Sequence, residues 1–229
     1  MAANHDPQVS RLSQPFHDAG IFFQQAVRTF RATGAVIPSG AALADALTRY
    51  VAERDDPSTP LSILEAGAGT GPVSRAIASR MRGGDTFDMV EPNPTFVEYL
   101  NGLVKTDPVF LAVADRVTVH QALVTDLGTD RRFDVIVSGL PFANFTADEV
   151  RTIMEYYFTV LRPGGHLSFF GYLYTKQVKA VIAPLDDYLR QVRSGWEVEE
   201  WVNRYGVGRE RVFRNIPPAW IYHLRKPLS

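Results

Sequence analysis

Apolar positions along this chain follow two periods. From Asp18 to Ala32 they recur at Phe23, Val27 and Phe30, the i, i+4, i+7 stripe of a helix, with Gly34 as its stop. After Ser39, a good N-cap, Leu43, Leu47, Tyr50 and Val51 share one face and predict a second helix. Residues 54–60, Arg-Asp-Asp-Pro-Ser-Thr-Pro, are turn chemistry. Beyond them, apolar runs at Leu61–Glu65, Thr86–Val90, Val117–Gln121, Phe133–Gly139 and Gly165–Gly171 read as strands. Helical patterns lie between most of these runs, at Val73–Arg82, Thr95–Lys105 and Ala147–Val160, the last opened by a capping box from Thr146 to Glu149. A further helix is expected near Val178–Val192, then strands at Trp196–Tyr205 and Ala219–Arg225, the second after the Pro217-Pro218 break. Strands alternating with helices imply right-handed βαβ crossovers and a mostly parallel sheet. The expected organisation is a tail with helices over residues 1–60, covering the site, and one α/β domain over 61–229.

Composition narrows the chemistry. A chain of 229 residues, 45% of them apolar, can bury a core without a metal or disulfide staple. Zero cysteines exclude thiol nucleophiles, disulfide scaffolds and cysteine-based metal sites, and no metal is expected. Lys and Arg number 24 against 25 Asp and Glu, a balance that argues against a nucleic-acid binder acting through bulk charge. No apolar run is long enough to span a membrane, and residues 1–7 lack the basic-then-apolar pattern of a signal peptide. A cytoplasmic location is the resulting expectation.

The strongest local signal follows the first expected strand. Glu65-Ala66-Gly67-Ala68-Gly69-Thr70-Gly71-Pro72 places three glycines in a turn between a strand and a helix that opens on Pro72. A dinucleotide fingerprint would need a glycine where Pro72 stands. Twenty residues past Gly71, Glu91-Pro92-Asn93 ends the second strand with an acid that can accept both hydroxyls of a ribose. The pattern points to a nucleoside ligand.

Glu-x-Gly-x-Gly-x-Gly with a second-strand acid resembles the first motifs of class I S-adenosylmethionine-dependent methyltransferases. Leu161-Arg162-Pro163-Gly164-Gly165 resembles their late motif. The resemblance covers about residues 61–171. It implies an α/β, doubly wound, seven-stranded, mostly parallel Rossmann-like sheet with one antiparallel strand, here carrying an N-terminal helical extension. It also implies that S-adenosyl-L-methionine is the cofactor and S-adenosyl-L-homocysteine the product. Glu65 would hold the amino group, the loop from Ala66 through Gly67, Gly69, Gly71 and Pro72 the methionyl part, and Glu91 with Pro92 the ribose. The third-strand turn, Gln121-Ala122-Leu123-Val124, departs from the usual Gln-Gly-Asp-Ala: Leu123 stands where an Asp contacts adenine. Ala122 and Leu123 would then hold the adenine by backbone groups and apolar packing, with Ser138 completing the cofactor-binding set.

Residues 34–39, 137–141 and 215–219 resemble a narrower group, the bacterial phospholipid N-methyltransferases, which act on phosphatidylethanolamine, and the similar ornithine-lipid enzymes. In that resemblance Ser39, Pro141 and Phe142 belong to the substrate side. Ser138-Gly139-Leu140-Pro141-Phe142 is similar in position to the Asn-Pro-Pro-Tyr site of amino methyltransferases. Backbone carbonyls at Gly139 and Leu140 would hold the acceptor N–H groups while Phe142 packs on the developing cation. Tyr172 and Tyr174, at the ligand-facing end of the fifth strand, rank ahead of His166 as candidate bases. Arg211 and Arg214, interleaved with aromatics, are candidate lipid-phosphate ligands. Arg28 and Arg31 beside the Phe23-Val27-Phe30 stripe fit an interfacial helix.

The expected partners are an aminolipid and, peripherally, the anionic inner face of the membrane, with no nucleic acid. The charge is −4 over residues 61–173 (9 basic, 13 acidic) but +4 over 174–229 (10 basic, 6 acidic), so one face can dock on anions. The alternatives are an RNA-adenine or small-molecule N-methyltransferase and a non-catalytic nucleoside or membrane binder.

Overall fold

The computed structural model describes residues 39–54, 56–172, 185–213 and 218–228. The described residues belong to one compact unit, Ile37–Ser229. The stripe at Phe23, Val27 and Phe30, with Arg28 and Arg31, lies outside the described residues, as do Tyr174 and Arg214.

Seven strands form one sheet: β1 (Ser62–Ala66), β2 (Thr86–Val90), β3 (Val117–His120), β4 (Phe133–Ser138), β5 (Leu161–Tyr172), β6 (Gly206–Val212) and β7 (Ala219–Arg225). Their order is β3-β2-β1-β4-β5-β7-β6, and β7 alone runs antiparallel to its neighbours. The helices are α1 (Ser39–Leu47), α2 (Arg49–Ala52), α3 (Pro72–Arg80), α4 (Pro94–Thr106), α5 (Pro108–Leu111), α6 (Ala147–Val160) and α7 (Leu185–Tyr205). This is the doubly wound, mostly parallel sheet that the alternation and the resemblance imply. The central strands read as continuous apolar runs because both faces are covered: Ile63, Leu64, Val135, Ile136, Val137, Leu167 and Ile221 are all buried.

The order in which strands are added reverses between β1 and β4, which pair side by side in parallel. Ligands of open α/β sheets bind outside the carboxyl ends of the strands at such a switch point. Register aligns those ends: Ala66 pairs with Val90 and with Ser138, Val90 with His120, and Ser138 with Phe169.

One expected element is corrected. Residues 196–205 are the last half of α7, not a strand. At helical period Ser194, Glu197, Trp201 and Tyr205 share one face: Ser194 and Glu197 are buried, and Trp201 and Tyr205 stack around Phe158 at 5.0 and 4.3 Å. Trp201 also donates its indole N–H to Glu197, and Arg151 of α6 pairs with the same carboxylate. Side-chain ties one turn apart and to the neighbouring helix override the aromatic, β-branched composition that suggested a strand. The strand is the following segment, β6, whose glycines and alternating charges conceal it. It is the sheet's edge, where exposed charges prevent unwanted pairing.

The opposite end of the sheet is locked by a buried ion pair. Arg54, just past α2, donates to both oxygens of Asp85 at 2.9 and 2.8 Å, and Asp85 also accepts the Leu61 and Arg82 backbone N–H groups. Burial opposes ionisation of Asp85, yet these donors outweigh it and hold its pKa below the usual carboxylate range. Stability from a depressed carboxyl pKa is present above the unfolded value and is lost as pH falls through the folded one. Asp85→Asn leaves Arg54 uncompensated and should lower unfolding free energy by about 3–5 kcal/mol in urea titrations.

Candidate active site

The site begins where β1 ends. Gly67, Gly69 and Gly71 all adopt positive φ, at 75°, 56° and 82°, so the turn needs glycine at each. Gly71 in the left-handed conformation precedes α3, whose first position is Pro72. The turn is also held from below: Gly67 donates to the Val90 carbonyl at 2.9 Å and Gly71 to Ala68 at 2.9 Å.

Glu91 braces the loop. Its carboxylate is 2% exposed and accepts the Gly69 N–H at 2.9 Å on one oxygen and the Asn93 N–H at 2.9 Å on the other. Each oxygen retains a lone pair for a ribose hydroxyl. Burial raises the Glu91 pKa, against the lowering effect of the two N–H donors.

Glu65 lies beneath the loop, 1% exposed, with one carboxyl oxygen lacking any hydrogen-bond partner. Burial pushes its pKa up to about 8; nearby Ser74 lowers it and the Glu91 charge raises it further. The Ser74 hydroxyl favours the ionised carboxyl but lacks hydrogen-bond geometry, since its own oxygen is also unpartnered. A buried, unsatisfied carboxyl and hydroxyl form a site that a cation completes.

The turn after β4 closes the cradle from the other side. Gly139 donates to the Ala66 carbonyl at 2.8 Å, and a Cβ on Gly139 would stand 2.7 Å from the Gly67 carbonyl oxygen. A Cβ on Gly67 would meet the Leu140 side chain at 2.8 Å. Backbone therefore touches backbone across the switch point. Ser138 is fully buried; its hydroxyl accepts from Tyr157 of α6 at 3.0 Å and from the Leu140 N–H at 3.4 Å. Burial pushes the Tyr157 hydroxyl pKa far above its usual value, so it stays a donor. Ser138 thus supports the turn from below.

The remaining predicted residues are placed as follows. Ala66 is buried at the end of β1, while Pro72 and Pro92 are exposed at the rim. Ala122 and Leu123 are half-buried just beyond β3, where Leu123 opens the 3-10 turn Val124–Leu127. Pro141 is half-buried, and its carbonyl accepts the Asn144 N–H at 2.8 Å. The Leu140 carbonyl accepts the Phe142 N–H at 3.0 Å, leaving Gly139 as the turn carbonyl with no backbone donor among the described residues. Phe142 is 4% exposed, with its ring edge-to-face on Phe169 at 5.4 Å and 6.2 Å from Phe145. Its aromatic surface therefore sits in the core rather than over an acceptor. Tyr172 ends β5, three residues beyond the level of Ser138, and Ser39 opens α1. His166 lies in mid-strand, stacked on Tyr50 of α2 at 3.8 Å and 9°, away from the ligand-facing end. Arg211 is three strands from β4, its guanidinium 4.3 Å above the Trp220 ring. No group of metal-ligating side chains occurs among the described residues.

Three contributors escaped sequence reasoning: Ser74, the Asn93 N–H and Tyr157. Ser74 and Asn93 sit within three residues of the glycines and the acid. Tyr157 lies on the buried stripe Val150-Ile153-Met154-Tyr157-Val160, where its hydroxyl is the one polar group.

Residues 63–165 match the family model described as a methyltransferase domain. Over this stretch the chain is similar to class I methyltransferases. A 26% identical relative, the ornithine lipid N-methyltransferase of Singulisphaera acidiphila, aligns over 165 residues, 71% of this chain and 74% of that protein. Among solved structures, an O-methyltransferase from Bacillus cereus in complex with S-adenosylhomocysteine superposes with a TM-score of 0.61 at 16% identity, covering 96% of each chain. The 1,6-didemethyltoxoflavin-N1-methyltransferase of Burkholderia thailandensis, with bound 1,6-didemethyltoxoflavin and S-adenosylhomocysteine, gives 0.61 at 15% identity, covering 99% of this chain and 93% of that one. The cofactor of this domain is S-adenosylmethionine, and the cradle fits it: an unmet carboxyl for a cation, an acid for a ribose, and glycines where side chains would collide with backbone.

Two substitutions probe the cradle. Gly139→Ala forces the β1 and β4 turns apart and should weaken S-adenosylhomocysteine binding at least tenfold by calorimetry. Glu91→Ala removes the loop brace and the acid that would accept the ribose hydroxyls, and should weaken it roughly a hundredfold, since hydrogen bonds to a charged group are worth about 1.5–3 kcal/mol each.

Proposed function

We propose that this protein transfers methyl groups from S-adenosylmethionine to the headgroup amine of a membrane lipid. The observation that carries this reading is the β4 turn, whose Gly139 carbonyl accepts no backbone N–H among the described residues while its backbone touches the cofactor loop at Gly67. An amine acceptor needs a hydrogen-bond acceptor beside the methyl donor to aim its lone pair, and a backbone carbonyl there supplies one. The likeness to an ornithine lipid N-methyltransferase supports the lipid class. Phosphatidylethanolamine, with its methylated intermediates, is the acceptor favoured by the resemblance at residues 34–39, 137–141 and 215–219; ornithine lipid is the one favoured by that relative.

The cofactor supplies an electrophilic methyl group on a good leaving group, so the protein contributes chiefly position. Orientation of this kind is worth about 7–11 kcal/mol. Glu65 would hold the cofactor's ammonium, Glu91 its ribose hydroxyls, and Leu123 would pack on its adenine. The Gly139 carbonyl would take one N–H of the acceptor. The acceptor ammonium must first lose a proton, for which Tyr172 and Tyr174 are the candidate bases. Residues 1–60 would cover the site, and residues 61–229 would form the catalytic domain. No described helix is long and apolar enough to cross a membrane, so contact with lipid would be peripheral, at the inner face.

The purified protein, given S-adenosylmethionine labelled on the methyl group and vesicles holding phosphatidylethanolamine or ornithine lipid, should place label in the organic phase. Glu91→Ala should abolish it. Label that stays aqueous with both lipids, or that enters RNA instead, contradicts the reading.

A further inference from the structure

On β6, Arg209 and Arg211 alternate onto one face, and both guanidinium groups lie over a single indole. Their carbons stand 4.5 and 4.3 Å from the Trp220 ring centroid. Both arginines are exposed and Trp220 is half-buried. The one carboxylate on β6, Glu210, points to the opposite face, where it meets His223 at 3.1 Å. Neither arginine forms an ion pair with a described residue. Two like charges held together on an aromatic plate, with no ion pair to a described residue, repel each other, and an anion bound between them relieves that repulsion.

The position of the pair decides which anion. Arg211 is in register with Trp220, and Trp220 with Gly171 of β5, so the pair stands level with the ligand-facing ends of the strands. From β4 to β6 is three strand spacings, about 14 Å. In an ethanolamine headgroup, four single bonds separate nitrogen from phosphorus, about 5 Å at full extension. An acceptor whose amine is at the Gly139 turn therefore carries its own phosphate well short of the β6 backbone. Two residues on stands Phe213, 63% exposed, an apolar side chain of the kind that enters a headgroup layer.

We propose that Arg209, Arg211 and Trp220 form a docking site for phosphates of anionic phospholipids neighbouring the acceptor, with Phe213 as its apolar edge. Resting on the aminolipid reading, it deepens that reading by giving the sheet's edge a membrane-facing role. The site reads the surface, not the substrate. Accordingly it serves a phosphate-free acceptor as well as phosphatidylethanolamine, provided the surrounding bilayer is anionic.

Co-sedimentation with vesicles tests this without any methyl transfer. Wild type should bind vesicles of phosphatidylcholine containing one-third phosphatidylglycerol and fail to bind phosphatidylcholine alone. The double variant Arg209→Gln with Arg211→Gln should lose roughly thirtyfold in affinity, the combined effect of two basic side chains at an anionic surface. It should keep wild-type S-adenosylhomocysteine binding, which shows that it is folded, and the double Lys variant should recover most of the loss. Equal vesicle binding by wild type and the Gln variant overturns the proposal. Calorimetric binding of inorganic phosphate by wild type as tight as its binding to the anionic vesicles also overturns it, by showing a site for the free ion. Methylation of lipid in detergent micelles is read separately, so failure of docking and failure of the aminolipid reading are distinguishable.

Discussion

The site depends on one close approach. The ends of β1 and β4 touch backbone to backbone, Gly139 donating to Ala66 while its α-carbon faces the Gly67 carbonyl with no room for a methyl group. That contact exists because the sheet reverses its strand order there. It brings together the glycine-rich turn after β1 and the Gly139-Leu140 turn after β4. Glu91 from β2 and Tyr157 from α6 then hold the two turns from outside, through Gly69 and Ser138 respectively. A methyl transfer that relies on alignment needs such a contact, because small displacements at the reacting centre cost large factors in rate.

Much of this was legible along the chain. The first five strands and the first helices follow from apolar runs bounded by turn residues, and the cradle follows from three glycines at fixed spacing and an acid twenty residues on. What escaped did so for physical reasons. The Trp196–Tyr205 segment carries strand-forming residues, but its contacts lie one helical turn apart, on Phe158 and Arg151, which no local pattern discloses. Five of the seven residues of the edge strand β6 are glycine or charged, since most of an edge strand can face water. Phe142 reads as an active-site aromatic by position, yet tertiary packing turns its ring onto Phe169. Periodicity gives the elements; which side of a turn a ring occupies depends on partners remote in sequence.

Electrostatics divide the molecule similarly. The cofactor side concentrates buried carboxyls, and the two nearest the loop are both held above their ordinary pKa by burial. The sheet's far edge instead gathers arginines on an indole. A near-neutral total conceals these opposite halves, one acidic and the other basic.

Proton release on cofactor binding is the most direct test of the cradle. The Glu65 carboxyl, held at about 8 by burial, is protonated at pH 7, and a cation brought to its unpartnered oxygen should ionise it. Calorimetric titration with S-adenosylhomocysteine at pH 7, in buffers of different ionisation enthalpy, should show release of about one proton. Affinity should rise with pH and level off above about 8, and Glu65→Gln should release none. Binding with no buffer dependence in the wild type would contradict the account.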